Sequence, residues 1–208
     1  MIKVEKINVF NLEGAIRGAR NPMNSWHKSD SKWIVQDGEP KFIIGDNDLK
    51  LMKSLAKAGS DHRKFMRQIF VSMDITAPLY WWKEYDTYKV GTTANSCSTM
   101  HKIHAKEFSR EDFSCERMSE EALACLDSVI AVLEKQRQKF VETKERPYWD
   151  DMIQLLPSSY NQMRTCTMTY ENLLNMYHAR KNHKLPEWHL LCDTIEILPY
   201  FKEICLEE

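Results

Sequence analysis

A run of alternating apolar residues that leads directly into an aromatic-rich helix constrains the fold more than any other part of the sequence. Alternation at period two is typical of a strand with one buried face, and it predicts a strand over Lys64–Thr76. Pro78 then suits the first position of a helix, which we expect over Pro78–Tyr85. A fold that contains this segment has both a sheet and helices. The alternating residues are Ile69, Val71, Met73 and Ile75.

The other periodicities predict further strands scattered among helices. Strands are expected at Ile2–Phe10 and Met163–Thr169, and long loops at Asn24–Pro40 and Asp86–Thr99. Because regular strand–helix–strand spacing is missing, the predicted fold class is α+β. A length of 208 residues favours one domain over residues 1–208, with a helical excursion at about 105–156. Helices are expected at Leu12–Arg20, Asp46–Gly59, Ser119–Lys144, Tyr148–Leu156, Tyr170–Lys181 and Pro186–Leu198.

Local signals mark where several helices begin and end. Asn21-Pro22 ends the first helix, because proline disfavours a helical residue before it. Asp46 or Asn47 is expected to cap the second helix. Ser119 is expected to cap the longest one.

Charge and cysteine spacing argue against several classes of protein. The 29 basic and 30 acidic residues give a net charge of -1, whereas a general nucleic-acid or membrane surface needs a basic excess. No signal-peptide pattern opens the sequence, and no apolar run approaches the roughly 20 residues of a membrane helix. The six cysteines are spread out and form no CxxC pair. That usage predicts reduced thiols and a cytoplasmic location.

The segment Ala77–His101 carries the most informative polar side chains. Its second half is a loop of Thr, Asn, Ser and Gly. Hydroxyls, amides and backbone N–H groups of such a loop suit a phosphate or a polar ring. Surface loops capped by their own side chains have the same composition, so residue types alone leave both interpretations open.

Two further regions hold candidate ligand-binding side chains. His62 stands beside Arg63, and this pair is either an anion or flavin contact or part of an exposed basic patch. In the late helix, Asn175 and Arg180 are spaced to point together into a cleft, where arginine can grip a phosphate by two parallel hydrogen bonds. The alternative there is a solvated helix face with an arginine in its last turn.

Familiar catalytic and metal-binding patterns are missing from the sequence. His101 and His104 lie three residues apart, but no third ligand stands at a characteristic distance, so no metal site is expected. No nucleophilic-serine elbow, P-loop, zinc-protease helix or dinucleotide-binding glycine loop occurs.

Together these segments resemble the flavin-dependent thymidylate synthase family. In that family a histidine precedes a strand, an Ala-Pro pair and an aromatic-rich helix, and here His62 precedes Ala77-Pro78 at a similar separation. Gly18-Ala19-Arg20 resembles the family's Ala-Arg near the N-terminus, and Thr169–Arg180 resembles the helix that presents Asn and Arg to FAD and nucleotide. The similarity spans nearly the whole chain. It implies a central, mostly antiparallel sheet flanked by helices.

The family's signature, R-H-R-x-x-S-x-N-E-x-S-x-R, is heavily altered here. Its Arg-His-Arg is replaced by Thr87-Tyr88-Lys89. With one inserted residue, Asn95 and Ser98 match the signature's Asn and second Ser, whereas Ser96 takes the place of Glu and Met100 that of the last Arg.

A second departure lies in the late helix, where the family's arginine becomes Glu171. Each charged hydrogen bond contributes roughly 1.5–3 kcal/mol. The loss of two or three would weaken flavin and phosphate binding by orders of magnitude unless other cations substitute. The candidate substitutes are Lys89, Arg63, Arg67 and Arg164.

The resemblance implies a set of site residues and ligands. FAD and NADPH would be the cofactors, dUMP or a related nucleotide the substrate, a folate the methylene donor, and a homotetramer the assembly. Cofactor-binding residues would be His62, Tyr88, Lys89, Asn95 and Asn175, and substrate-binding residues would be Ser96, Ser98 and Arg180.

Two functions follow as hypotheses. The first is reductive methylation of dUMP, with Tyr80, Trp81, Trp82 or Tyr88 stacking on a ring. The second is a catalytically degenerate nucleotide-binding protein without methyl transfer. A different flavin or nucleotide enzyme, with Tyr88 or a cysteine as acid or nucleophile, is a third possibility, since fold alone does not determine function.

Overall fold

The computed structural model describes residues 2–207 and confirms the α+β class, with a mostly antiparallel sheet flanked by helices. The main sheet has the strand order β1-β4-β6-β5, and β2 pairs with β3 in a separate antiparallel hairpin. The strands are β1 (Lys3–Phe10), β2 (Lys32–Gln36), β3 (Glu39–Ile43), β4 (Phe70–Pro78), β5 (Thr93–Ser96) and β6 (Asn161–Thr169).

The predicted helices all form, with ends within a few residues of those expected. The described part of the chain contains α1 (Leu12–Arg20), α2 (Asp46–Lys57), α3 (Leu79–Tyr85), α4 (Thr99–Lys102), α5 (Glu120–Thr143), α6 (Arg146–Leu155), α7 (Tyr170–Arg180), α8 (Pro186–Glu196) and α9 (Phe201–Cys205). None of the helices within residues 2–207 is long and apolar enough to cross a bilayer.

The chain divides into two compact units. The first comprises the start of the chain through Glu5, Asp74–Lys89 and Ala94–Thr165. Within it α5 and α6 pack against each other, and the Ser119 side chain caps α5, as predicted, by accepting a hydrogen bond from the Ala122 amide. A core of its own supports this unit: Ile103, Phe108, Phe113, Leu126, Leu133 and Met152.

The second unit comprises Lys6–Met73, Val90–Thr93 and the chain from Cys166 onward. Here α7 packs on α8 and on a short 3₁₀ helix, Arg63–Gln68, while α2 packs on α9. Burial of large side chains from each of these elements explains why they associate. Those side chains are Met52, Phe65, Met66, Leu173, Trp188, Leu191 and Phe201.

The expectation of a long loop over Asn24–Pro40 is wrong, because β2 and the start of β3 lie within it. The hairpin turn is Asp37-Gly38, and both residues have positive φ (53° and 83°) between the paired residues Gln36 and Glu39. An Asp-Gly pair in this conformation matches the right-handed twist of the flanking strands. The local signal for a hairpin was therefore present in the sequence.

Three smaller expectations are also corrected. The predicted strand over Lys64–Thr76 starts only at Phe70, since the preceding residues form the 3₁₀ helix and bury Phe65. The predicted loop Asp86–Thr99 contains β5. Neither Asp46 nor Asn47 caps α2, whose cap position is Gly45.

Candidate functional site

Three of the four aromatic side chains of α3 are buried: Trp81, Trp82 and Tyr85. Trp81 and Trp82 are 0% and 1% exposed, and the Trp82 indole N–H donates a 2.9 Å hydrogen bond to the Gln162 carbonyl. Trp81 also stacks on Tyr85, with ring centroids 5.3 Å apart. The expectation that Trp81 or Trp82 offers a free face to a ligand ring is therefore wrong. For Tyr80 and Tyr88, both half-buried, it stays a prediction.

Both ends of the candidate loop are tied to β6 by a network around Arg164. The Arg164 guanidinium donates to Asp86 Oδ1 at 2.7 Å and to Gln162 Oε1 at 3.0 Å, and it lies 4.1 Å from the centre of the Trp82 ring. The Gln162 amide in turn donates to the Cys97 carbonyl at 2.8 Å. Arg164 therefore holds the loop in place, and its charge is matched by Asp86.

The loop between these ends carries the predicted site residues of the first unit. Lys89, Asn95 and Ser96 are exposed, the last two on β5. Ser98 caps the short α4, where its hydroxyl accepts from the His101 amide at 3.2 Å. Ser98 also lines a pocket of about 210 Å³ together with Lys102, Tyr160 and Asn161, among others.

The part of the loop that belongs to the second unit is held by Asn172 on α7. Its amide nitrogen donates to the Val90 carbonyl at 2.8 Å, while its Oδ1 accepts from the Thr169 amide and hydroxyl at 3.1 and 2.8 Å. A side chain on Gly91, whose φ is +75°, would approach Asn172 Oδ1 to 3.1 Å. Sequence reasoning left Asn172 out of the site, although Thr169-x-x-Asn172 has the spacing of a helix-capping pair.

Glu171, which stands where the resemblance places an arginine, joins two arginines of the second unit. Its carboxylate accepts from Arg63 Nε at 3.1 Å and from the Arg67 guanidinium, which also donates to the Ser60 carbonyl at 3.2 Å. Burial by itself would raise the pKa of Glu171, but the hydrogen bonds from Arg67 and Arg63 outweigh it and lower that pKa. Glu171 is therefore charged at neutral pH, and its single negative charge offsets part of the positive charge of the two guanidinium groups.

The other predicted residues of the second unit occupy separate positions on two elements. His62 is exposed and precedes the 3₁₀ helix. Asn175 is exposed on α7, and Arg180 is half-buried at the end of that helix. The Arg180 guanidinium lies 4.6 Å from the centre of the buried Trp188 ring, a cation–π contact that holds the arginine against α8.

Few of the positive charges in the candidate site are available to bind an anionic ligand. Of the four candidate substitutes for the signature arginines, Arg63, Arg67 and Arg164 are engaged by carboxylates. Lys89 makes no hydrogen bond or ion pair within residues 2–207. The donors suit a polar ring and one phosphate better than a highly charged cofactor. Across the same residues no three His, Cys, Asp or Glu side chains form a group that could hold a metal ion.

Comparison with known proteins finds similarity in structure only. No protein-family model and no curated protein matches the sequence. The chain is similar to the crystal structure of Thymidylate Synthase X from Helicobacter pylori with FAD and dUMP: the TM-score is 0.73 and the identity 17%, over 100% of this chain and 97% of that one. Another structure of flavin-dependent thymidylate synthase ThyX from Helicobacter pylori, complexed with FAD and dUMP, has a TM-score of 0.68 and 16% identity over 98% of each chain. The similarity confirms the fold implied by the resemblance.

Proposed function

Starting from the fold of thymidylate synthase X, we propose that this chain is a nucleotide-binding protein that does not carry out reductive methylation. The observation that carries this proposal is the pairing of Arg63 and Arg67 with Glu171, and of Arg164 with Asp86. A cation that already binds a carboxylate must give up that partner before it binds a phosphate. Nucleotide binding is supported by the structural neighbours, both of which contain dUMP.

For the nucleotide contacts we reassign residues that the resemblance implies for the cofactor and add those that it implies for the substrate. Lys89 would pair with the phosphate, and Tyr88 would stack on the base. Asn95, Ser96 and Ser98 would supply amide and hydroxyl groups to the polar edges of the nucleotide. Arg180 and Asn175 of the second unit, and His62, stay proposed ligand contacts.

FAD fits the described residues poorly. Its diphosphate carries two negative charges, and the signature arginines that would meet them are replaced in this sequence. Three of the four candidate substitutes, Arg63, Arg67 and Arg164, already pair with carboxylates. NADPH is expected only if flavin binds, because it would act as the flavin's reductant.

A second candidate function is reductive methylation of dUMP with FAD, NADPH and a methylene-tetrahydrofolate. It is favoured by the ligands of the two structural neighbours, which contain both FAD and dUMP. Under this alternative, binding of flavin would displace the carboxylates from the paired arginines. The cytoplasmic location and the homotetramer stay predictions under either function.

Absorption and thermal unfolding separate the two functions. We expect purified protein to be colourless, dUMP to raise its melting temperature, and FAD to leave it unchanged. Lys89→Gln should reduce the dUMP effect, whereas the control Lys83→Gln, at an exposed position on α3, should not. A yellow protein stabilised by FAD would refute the first proposal and favour the second candidate, and no response to either ligand would refute both.

A further inference from the structure

A slot in the second unit has the features of a small-molecule site that neither proposed function uses. It lies between α1, the 3₁₀ helix at Trp26–Lys28 and the β2–β3 hairpin, and its volume is about 230 Å³. We call it the aromatic slot. It is lined by Glu13, Ile16, Arg17, Arg20, Trp26, Ser29, Ser31 and Phe42. An adjoining depression of about 210 Å³ shares Glu13, Arg17 and Phe42 and adds Trp33.

One tryptophan of the slot, Trp26, and one of the adjoining depression, Trp33, are held by hydrogen bonds at their ring edges. The Trp26 indole N–H donates to Asn21 Oδ1 at 2.8 Å, yet 49% of the residue is exposed. The Trp33 indole N–H donates to Glu13 Oε2 at 3.1 Å, and its ring lies 5.2 Å from that of its cross-strand partner Phe42. Because these hydrogen bonds fix the rings at their edges, the ring faces stay accessible. The side chains therefore lose little conformational entropy when a ligand stacks on them.

The rear of the slot is built on a buried ion pair. Arg20 Nε donates to Asp48 Oδ1 at 2.5 Å, and the two side chains are 5% and 0% exposed. Further N–H groups of Arg20 donate to the carbonyls of Ser25 and Lys28 at 3.2 Å each. The segment that carries Trp26 is therefore fastened to α1 at both of its ends. A wall fixed before binding is the condition for a pre-formed site.

Three charged side chains line the slot: Glu13, Arg17 and Arg20. Arg20 is neutralised by Asp48, whereas Glu13 keeps its carboxylate charge and accepts from the Trp33 indole through Oε2. Arg17, exposed on α1, makes no hydrogen bond, ion pair or ring contact within residues 2–207. An anion that reaches the slot would therefore meet a guanidinium that has no other partner to give up.

We propose that the aromatic slot binds a planar aromatic anion. Its ring would lie over the buried Ile16, between Trp26 and Phe42, and its carboxylate or phosphate would pair with Arg17. The volume limits the ring to one or two fused cycles, since sites for larger ligands measure about 300–1,000 Å³. Serine hydroxyls at the rear, from Ser29 and Ser31, would favour a ring with a polar edge.

The test uses fluorine NMR of the whole chain labelled with 5-fluorotryptophan, which gives six signals for the six tryptophans. The signals of Trp26 and Trp33 are assigned from the variants Trp26→Phe and Trp33→Phe. On titration with 2-naphthoate we expect these two signals to shift, while those of the buried Trp81, Trp82 and Trp188 stay in place as internal controls.

Matched probes and variants test the assigned roles. The neutral 2-naphthamide should bind about tenfold more weakly than 2-naphthoate, and Arg17→Gln should weaken 2-naphthoate about tenfold without affecting the amide. Lys50→Gln, an exposed change on α2, should have no effect. A parallel titration with 2-naphthyl phosphate shows which of the two anions the slot prefers. The proposal is overturned if the Trp26 signal does not move up to about 5 mM of either anion, or if Arg17→Gln leaves their affinities unchanged.

Discussion

Replacing Asp48 with asparagine removes the charge at the centre of the second unit's polar core. Asp48 Oδ1 accepts from Arg20, and Oδ2 accepts from the hydroxyls of Ser29 and Ser31 at 2.7 and 2.5 Å. The same oxygen accepts from the amides of Asp30 and Ser31 at 3.2 and 3.0 Å. An asparagine amide has only one acceptor oxygen, so Asp48→Asn places an N–H₂ group against donors and leaves Arg20 charged and buried.

The magnitude of the effect follows from this geometry. Breaking a buried ion pair by removing one partner costs about 3–5 kcal/mol, because the remaining charge is left uncompensated. For a chain of this size that corresponds to a melting temperature about 6–20 °C lower. Asp46→Asn is the matched control on the same helix. Asp46 is exposed in the first turn of α2 and should contribute only about 0.3–1 kcal/mol, through the helix dipole.

The assay is urea unfolding followed by circular dichroism at pH 7 and at acidic pH. Burial favours the neutral form of Asp48, but hydrogen bonds from Ser31, Ser29 and Arg20 outweigh burial and hold the pKa of Asp48 below its ordinary value of 3.8. A lowered pKa contributes stability that is present above the unfolded-state pKa and is lost as pH falls through the folded-state pKa. The difference in the free energy of unfolding between wild type and Asp48→Asn should therefore reach its full size at pH 7 and become smaller below about pH 4. A difference under about 1 kcal/mol at pH 7 would refute the reasoning.

Three other predictions concern the candidate site and the thiols. Glu171→Gln releases two guanidinium groups, so inorganic phosphate should raise the melting temperature of this variant more than that of wild type; equal shifts would show that the arginines were never restrained. Asn172→Ala removes the hydrogen bond to the Val90 carbonyl, and hydrogen exchange in the loop around Val90 should accelerate while exchange in α5 does not change. Burial raises the pKa of Cys205 to about 12, so iodoacetamide at pH 8 should alkylate the exposed Cys97 long before Cys205, as read by mass spectrometry; similar rates would contradict the burial.

Elements whose boundaries depend on neighbouring residues were predicted closely from sequence. α1 ends at Arg20 as expected, although Asn21 before the proline keeps helical φ and ψ (-56° and -46°) and the chain continues as a 3₁₀ helix, Asn21–Met23. α5 begins after Ser119 as predicted, because the serine side chain satisfies the free Ala122 amide of its first turn. The β2–β3 hairpin had an equally local signal in Asp37-Gly38, which the polar composition of the segment obscured.

Features that depend on partners far along the chain were not predictable in this way. α2 is capped from a distance, since the Asp30 carboxylate accepts from the amides of Asn47 and Asp48. In the sequence, Glu171 indicates only that a cation of the family has been lost. Folding brings it into contact with Arg63 and Arg67, more than 100 positions away, and this contact makes those arginines less available to a ligand. Periodicity and helix caps are properties of adjacent residues, and they reveal a sheet flanked by helices. Which charges meet depends on how the chain packs, and that packing determines what the site can bind.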